Sequence, residues 1–433
     1  MKPAYKNITG TFDILPEASG NENGLVTSTA GWRHVETTIR EVMVQFNARE
    51  IRTPIIEPTE LIARGVGMLT DIVSKEMFAF ERGKTHYVLR PEVTAPVMRA
   101  YLQHRLDQRG GVQKLYYVGP CFRAERPQRG RYRQFHQFGV EVIGASDAQA
   151  DAEVIAMMMA VYRAFGLNET SLRINSLGDE KSRPRYKEAL RTYLVAFKSD
   201  LSDTSLERLS ANPLRILDTK DEKERRLLED APRLIDFIDD ESRAHYNELK
   251  TLLDDIGIAY QEDPFLVRGL DYYTRTAFEL ENTNLGAQSI LAGGGRYDLL
   301  ARELGSKTAV PAVGFAAGFE RLFLALAAAE IGLPDDPAPD VFIAALGDEA
   351  HRWSFGHSQR LRSAGLSVAF DLKGRSMKAQ MREANRQRAR YTVIVGKDEL
   401  DGGVVQVKNM GSGEQCTVGV DDLTAYFYKC IRS

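Results

Sequence analysis

Gly119-Pro120-Cys121-Phe122-Arg123-Ala124-Glu125-Arg126-Pro127-Gln128-Arg129-Gly130-Arg131-Tyr132-Arg133-Gln134-Phe135-His136-Gln137-Phe138-Gly139-Val140-Glu141 is the stretch whose reading decides the fold. Residues 114–123 and 134–143 have the apolar content and period-two alternation of strands. The joining residues 124–133 hold Arg126, Arg129, Arg131 and Arg133 against one acid, Glu125. The pattern predicts an antiparallel pair tipped by a cationic loop. Alternation puts Cys121, Arg123 and Glu125 on one face of the first strand, and Phe135, Gln137, Gly139 and Glu141 on one face of the second. On a bare surface such a hairpin would be a solvated face with cross-strand Arg–Glu pairs. Tyr117, Val118, Phe122, Val140 and Val142 point instead to a pair covered by protein, where charges persist only when paired or when they hold a ligand. Phe135 would then offer a flat ring on which a base could stack.

Outward from the hairpin, the 433 residues are enough for two or three domains at about 150 residues each. Their 43% apolar content can fill a sizeable core. Lys plus Arg number 57 against 60 acids, a net charge of −3, so any polyanion site must be a local patch. Cys121, Cys416 and Cys430 are odd in number and lack CxxC spacing, which argues against a disulfide framework or structural zinc and fits a reducing cytoplasm. Residues 1–20 lack a signal-peptide pattern, and the longest apolar runs fall short of the roughly 18 residues of a membrane span. A soluble cytoplasmic protein, with no membrane partner, is expected.

Three prolines between Gly332 and Asp340 read as a linker, 332–340. Beyond it, alternating strand and helix patterns predict an α/β domain over 341–433. Before it, 1–331 reads as one domain interrupted at about 177–262 by a charged stretch with helical spacing.

The Phe122–Gln137 run closely resembles motif 2 of class II aminoacyl-tRNA synthetases, in the version found in the histidyl-tRNA synthetase family. Residues 50–57, with Pro54, resemble motif 1, and residues 313–321 resemble motif 3. Residues 266–276 and 292–298 look like the two histidine-specific signatures of the family, and 341–433 resembles its anticodon-binding domain. The departures at Val93, Leu299 and Phe319 remove no contacting group, and Asn47-Ala48-Arg49 lacks a customary glycine before motif 1. The resemblance implies an α/β (α+β) fold: a roughly six- to seven-stranded antiparallel sheet flanked by helices, a helical insertion and a C-terminal α/β domain, in a homodimer.

It also implies ATP-dependent ligation of L-histidine to its tRNA through a histidyl-adenylate, with Mg2+ bound to ATP and no dedicated protein metal site. Joining a carboxylate to a phosphate brings two anions together and needs preplaced cations. By resemblance Arg123 contacts the α-phosphate and carboxylate, Arg321 the γ-phosphate, and Arg268 takes the place of a metal ion near the α-phosphate. These three are the implied catalytic residues, with Glu125 and Phe135 joining Arg123 and Arg321 around ATP. Glu92, Thr94, Arg123, Gln137, Glu141, Arg268, Tyr272 and Tyr273 match the histidine-binding positions, with Glu141 and Tyr273 assigned to the ring and Glu92, Thr94 and Gln137 to the α-amino group. A turn at Gly269 would reconcile the opposite parity of Arg268 and Tyr273. Gly314 and Gly318, four apart on one face, would allow close approach, and Gly293 to Gly295 read as backbone near a ligand or as a bend.

Residues 373–390 hold seven basic side chains against Glu383 alone. A helix from Ser376 would align Lys378, Arg382 and Arg386 for phosphates, with Gln380 and Asn385 left for base edges. The resemblance implies that this domain, which carries the stripe, reads the anticodon of the tRNA, and that Arg126 and Gln128 approach its acceptor end. Two alternatives remain at this level: a non-charging regulatory paralogue, and another class II specificity, which Glu141 and residues 268–273 disfavour.

Overall fold

The computed structural model describes residues 5–21, 24–67, 70, 72–219, 221–267, 272–282, 284–285 and 289–432. The chain divides into two compact units, residues 1–335 and 336–433.

The first unit is built on a sheet of eight strands in the order Gln261–Glu262, Ser171–Ser176, Thr274–Glu281, Ile290–Arg296, Ala312–Gly318, Gln134–Ile143, Gln113–Phe122, Arg49–Glu50. The six inner strands pair antiparallel. The sheet is one or two strands wider than the roughly six to seven that the resemblance implies, because two-residue strands pair parallel at each edge. Runs that short carry no periodicity, so nothing in the sequence marks them.

The hairpin predicted from the 119–141 stretch forms with Cys121 opposite Phe135 and Gly119 opposite Gln137. Helices Thr29–Gln45, Ala148–Ala164 and Phe319–Ala328 cover one face through a core centred on Trp32, Phe138, Tyr162, Phe315 and Phe319. Phe319 lies flat on Trp32, with ring centroids 5.2 Å apart, so the larger residue at this position is absorbed by stacking. The turn that lacks a glycine is made by Asn47 at φ +54°, a left-handed conformation that asparagine tolerates better than most residues.

Between strands Ser171–Ser176 and Gln261–Glu262 the chain runs through helices Ser182–Val195, Asp203–Ala211, Glu222–Glu229 and Asp240–Asp255. Ser202, Asp221 and Asp239 each cap their helix by accepting a backbone N–H. The glycine triplet is part of strand Ile290–Arg296 and not a bend. A Cβ on Gly294 would overlap the Gly314 carbonyl and the Phe278 ring.

The second unit is a five-stranded sheet in the order Val368–Phe370, Val341–Ala345, Tyr391–Val395, Val404–Asn409, Gln415–Gly419. The first three strands are parallel and the last two antiparallel. Helix Met377–Arg386 carries the basic stripe. Lys378, Arg382 and Asn385 line a groove with Lys408 and Ser412, whereas Arg386 is tied to Glu383 at 2.5 Å. Gln380 is not available to a base. It is wholly buried, and its amide is spent on Ala345 N–H (2.9 Å), Ala345 O (2.7 Å) and Arg375 O (2.7 Å).

Candidate active site

The hairpin register gathers the site. Cys121 and Phe135 face each other across the pair, and the Cys121 thiol donates to Gln137 Oε1 at 3.3 Å. Burial pushes that thiol up to about 12, so it stays a neutral packing group. The Arg123 guanidinium sits 5.1 Å from the Phe135 ring centre and donates through Nε to Pro91 O at 3.0 Å. Arg90, nearly buried, ties the hairpin to motif 1 by donating to Pro120 O (3.0 Å) and Thr53 O (2.9 Å).

Motif 3 meets the hairpin where Gly318 pairs with Gln137. The helix Phe319–Ala328 starts there, so Glu320 and Arg321 occupy its first turn. Glu320 accepts the His136 backbone N–H at 2.9 Å. Arg321 turns to the cleft and donates to Ile290 O at 2.6 Å. Burial, then the neighbouring charges of Arg131 and Arg123, lower the pKa of Arg321. Three guanidiniums therefore converge on one cleft, with Glu125 bound to Arg131 at 3.1 Å. Such a cluster of like charges suits a polyphosphate.

The other end of the same cleft is lined by Glu92, Thr94, Gln137, Tyr272 and Tyr273. Glu92 accepts the Thr94 and Ala95 backbone N–H groups at 2.8 and 2.9 Å, so its carboxylate caps the helix Thr94–Gln103. Burial raises its pKa against those two bonds. Glu141 lies one layer deeper, 1% exposed. Its Oε1 accepts from Thr94 Oγ1 at 2.7 Å and its Oε2 from the Tyr297 hydroxyl. Burial raises Glu141 to about 8, against the Tyr297 and Thr94 bonds that lower it. A Cβ on Gly314 would overlap the Glu141 carboxylate, which is the close approach that this glycine permits. Gly318 has no such demand, since a Cβ there would meet Arg321 at ordinary contact distances of 3.8–4.0 Å.

A raised carboxyl pKa has a sign that can be tested. The folded protein holds the Glu141 proton at pH values where the unfolded chain, near 4.5, has lost it. Stability from this group is therefore full below about pH 4.5 and lost as pH rises through about 8. Glu141→Gln removes that loss. The melting temperature of the variant minus that of the parent, measured by calorimetry without ligands, is expected to become more positive between pH 5 and pH 8.

Arg268 and the expected turn at Gly269 lie outside the described residues. Arg126 and Gln128 sit exposed on the loop, away from the cleft wall, where Gln128 and Arg131 close a turn through paired backbone bonds of 3.1 and 2.9 Å. Sequence reasoning passed over Arg131 and Tyr297 as site residues. Both stand inside the quoted motifs, but only the register shows that Arg131 faces Arg321 and that Tyr297 reaches Glu141. Of the three isoleucines in motif 1, Ile51 packs against the core, whereas Ile55 and Ile56 are 41% and 50% exposed.

The antiparallel sheet, its arginine-tipped hairpin and the strand–helix junction carrying Arg321 define the catalytic unit of a class II aminoacyl-tRNA synthetase. Residues 25–322 match the family model for histidyl-tRNA synthetase, and residues 340–429 match that for an anticodon-binding domain. The chain is 48% identical over 424 residues to the histidine–tRNA ligase of Chloroherpeton thalassium, covering 97% of this chain and 96% of that one. It is 44% identical over 423 residues to the histidine–tRNA ligase of Halothermothrix orenii, covering 98% of each. The structure aligns with that of apo histidyl-tRNA synthetase from S. aureus with a TM-score of 0.81 and 41% identity, over 98% of this chain and 99% of the other. The chain belongs to the histidyl-tRNA synthetase family.

Proposed function

We propose that the cleft activates L-histidine with ATP and that the enzyme then passes the histidyl group to its tRNA. The observation that supports this most is one cleft with two chemistries, converging arginines at one end and the buried Glu92 with Tyr272 and Tyr273 at the other, with Glu141 one layer behind Thr94. In the first step a histidine carboxylate oxygen attacks the α-phosphorus, and the bond from that phosphorus to the α,β-bridging oxygen breaks, releasing pyrophosphate. Arg123 offsets the charge where the two anions meet, Arg321 holds the departing end, and Phe135 stacks on the adenine. Glu92 and Gln137 take the ammonium. Glu141, held by Thr94 and Tyr297, accepts the ring N–H, and Tyr273 completes the ring site. In the second step the terminal ribose hydroxyl of the tRNA attacks the acyl carbon and AMP leaves. Mg2+ bound with ATP would add charge neutralisation at its phosphates, beside Arg123 and Arg321.

Arg126 and Gln128 contact the acceptor end, and Lys378, Arg382 and Arg386 the anticodon end, of the tRNA. The exposed Ile55 and Ile56 beside Pro54 support a homodimer through motif 1. Among the described residues no helix is long and apolar enough to cross a membrane, which is compatible with a cytoplasmic enzyme. The domain reading is one catalytic domain over 1–331 with its insertion at 177–262, a linker, and an anticodon-binding domain over 341–433.

The test is pyrophosphate exchange into ATP with each of the twenty amino acids, without tRNA. Exchange with histidine alone is expected. Exchange with none would favour the non-charging regulatory reading. The division of labour has its own test. Lys378→Glu combined with Arg382→Glu is expected to lower the aminoacylation kcat/KM for tRNA by roughly 10²-fold through lost phosphate contacts. Histidine-dependent exchange should stay within about twofold of the parent, because neither side chain is part of the activation cleft; equal loss of both activities would refute the division.

A further inference from the structure

On the opposite face of the strand Ile290–Arg296 from Glu141 lies a buried ion cluster that the mechanism above does not use. Asp151, on helix Ala148–Ala164, is wholly buried. Its Oδ1 accepts from Arg296 Nη2 at 2.7 Å and Nε at 3.1 Å. Its Oδ2 accepts from Thr276 Oγ1 at 2.6 Å and from His245 Nε2 at 2.5 Å. Arg296 is itself wholly buried, and its remaining N–H groups donate to Ala145 O (2.8 Å), Asp147 O (3.2 Å) and Asp298 Oδ1 (3.1 Å). Asp298 Oδ1 also accepts the Ala312 backbone N–H at 3.0 Å.

Burial alone would raise the Asp151 carboxyl, but His245 and Arg296 hold it below the usual carboxylate range. The carboxylate is therefore ionised, and His245 Nε2 carries the proton it donates. A buried ionised group is tolerated only while its partners are complete, so loss of one donor displaces the rest.

Two features tie this cluster to histidine recognition. Arg296 and Tyr297 are consecutive at a strand end, so their side chains leave in opposite directions. Arg296 enters the ion cluster, while the Tyr297 hydroxyl reaches Glu141 Oε2 on the other face. The backbone they share is pinned by Tyr297 N–H to Ala312 O at 2.7 Å. The second feature is the origin of His245, on helix Asp240–Asp255, the last of the helices between strands Ser171–Ser176 and Gln261–Glu262. Its side chain is only 7% exposed and ends on the catalytic core.

We infer that His245 and Asp151 are positioning residues for the amino acid: through Arg296 they set the place of Tyr297, and through Tyr297 the orientation of the Glu141 carboxylate. This rests on the reading of Glu141 as acceptor for the histidine ring. A misplacement of the acceptor by a fraction of an ångström weakens binding of the ring and leaves the nucleotide end of the cleft untouched.

The test is steady-state pyrophosphate exchange on the full-length protein, varying histidine at saturating ATP and ATP at saturating histidine. His245→Ala is expected to raise the histidine KM by roughly tenfold with the ATP KM within about twofold. His245→Gln, whose amide can place a donor near the same point, should recover the histidine KM to within about threefold of the parent. Because the two residues act in series, adding His245→Ala to Tyr297→Phe should cost less than about twofold beyond Tyr297→Phe alone. Thr276→Val removes the other Oδ2 donor and should shift the histidine KM in the same direction, which covers the case in which His245→Ala fails to fold. Parallel changes in both KM values, an unchanged histidine KM, or full additivity with Tyr297→Phe would overturn the inference while leaving the activity standing. A parent enzyme that exchanges without histidine dependence would remove the reading of Glu141, and this inference with it.

Discussion

Replacing Glu141 by alanine is expected to lower kcat/KM for histidine in pyrophosphate exchange by roughly 10³-fold or more, with the dissociation constant for ATP kept within a few-fold. The carboxylate lies 1% exposed beneath Thr94, and both of its oxygens already accept a protein hydroxyl. The variant therefore loses the acceptor and leaves the Thr94 and Tyr297 hydroxyls facing a cavity, and each unsatisfied donor adds its own cost. The nucleotide end, built from Arg123, Arg131, Phe135 and Arg321, shares no hydrogen bond with Glu141 among those described. Near-normal exchange by Glu141→Ala would remove this residue from ring recognition. A matching loss of ATP affinity would mean that the substitution had collapsed the sheet.

The second large effect concerns the reacting centre. Arg123→Gln is expected to reduce the maximal exchange rate by about 10² to 10³-fold, the range for one preorganised donor to a developing charge. The KM for histidine should move much less, because the ring end of the cleft is untouched. The Arg123 side chain is fixed in advance of the reaction, with Nε committed to Pro91 O at 3.0 Å and the guanidinium steadied 5.1 Å from the Phe135 ring centre. Pre-steady-state formation of the adenylate gives the decisive reading. Loss confined to KM, with an unchanged rate of adenylate formation, would make Arg123 a binding group rather than a catalytic one.

Much of this site can be read from the chain alone, and the reason is local. A hairpin has period two, so spacing assigns Cys121 and Arg123 to one face of the first strand and Phe135, Gln137 and Glu141 to one face of the second, and the pairing of Cys121 with Phe135 brings the two faces together. The same reasoning places the helix Met377–Arg386 and its exposed Lys378 and Arg382. Periodicity fails where a residue's partner is far away in sequence. Gln380 belongs to the basic helix by position, yet its amide is consumed by Ala345 across the domain. The glycine triplet reads from sequence as backbone near a ligand or, more often, as a bend. It lies in a strand paired on both sides, where Phe278 and the Gly314 carbonyl leave no room for a Cβ at Gly294.

The residue types, their order and their spacing by themselves determined the hairpin, the family, several of the side chains that line the cleft and the basic stripe, because each rests on short-range geometry or on contiguous motifs. The edge strands Arg49–Glu50 and Gln261–Glu262, the exposure of Ile55 and Ile56, the depth of Glu141 beneath Thr94, and the meeting of Asp151, His245 and Arg296 were decided by tertiary structure alone. His245 and Asp151 are 94 residues apart, and Arg296 and Asp151 are 145 apart. What joins them is the free energy of a buried carboxylate that must find every one of its donors, a condition that only a completed core can satisfy.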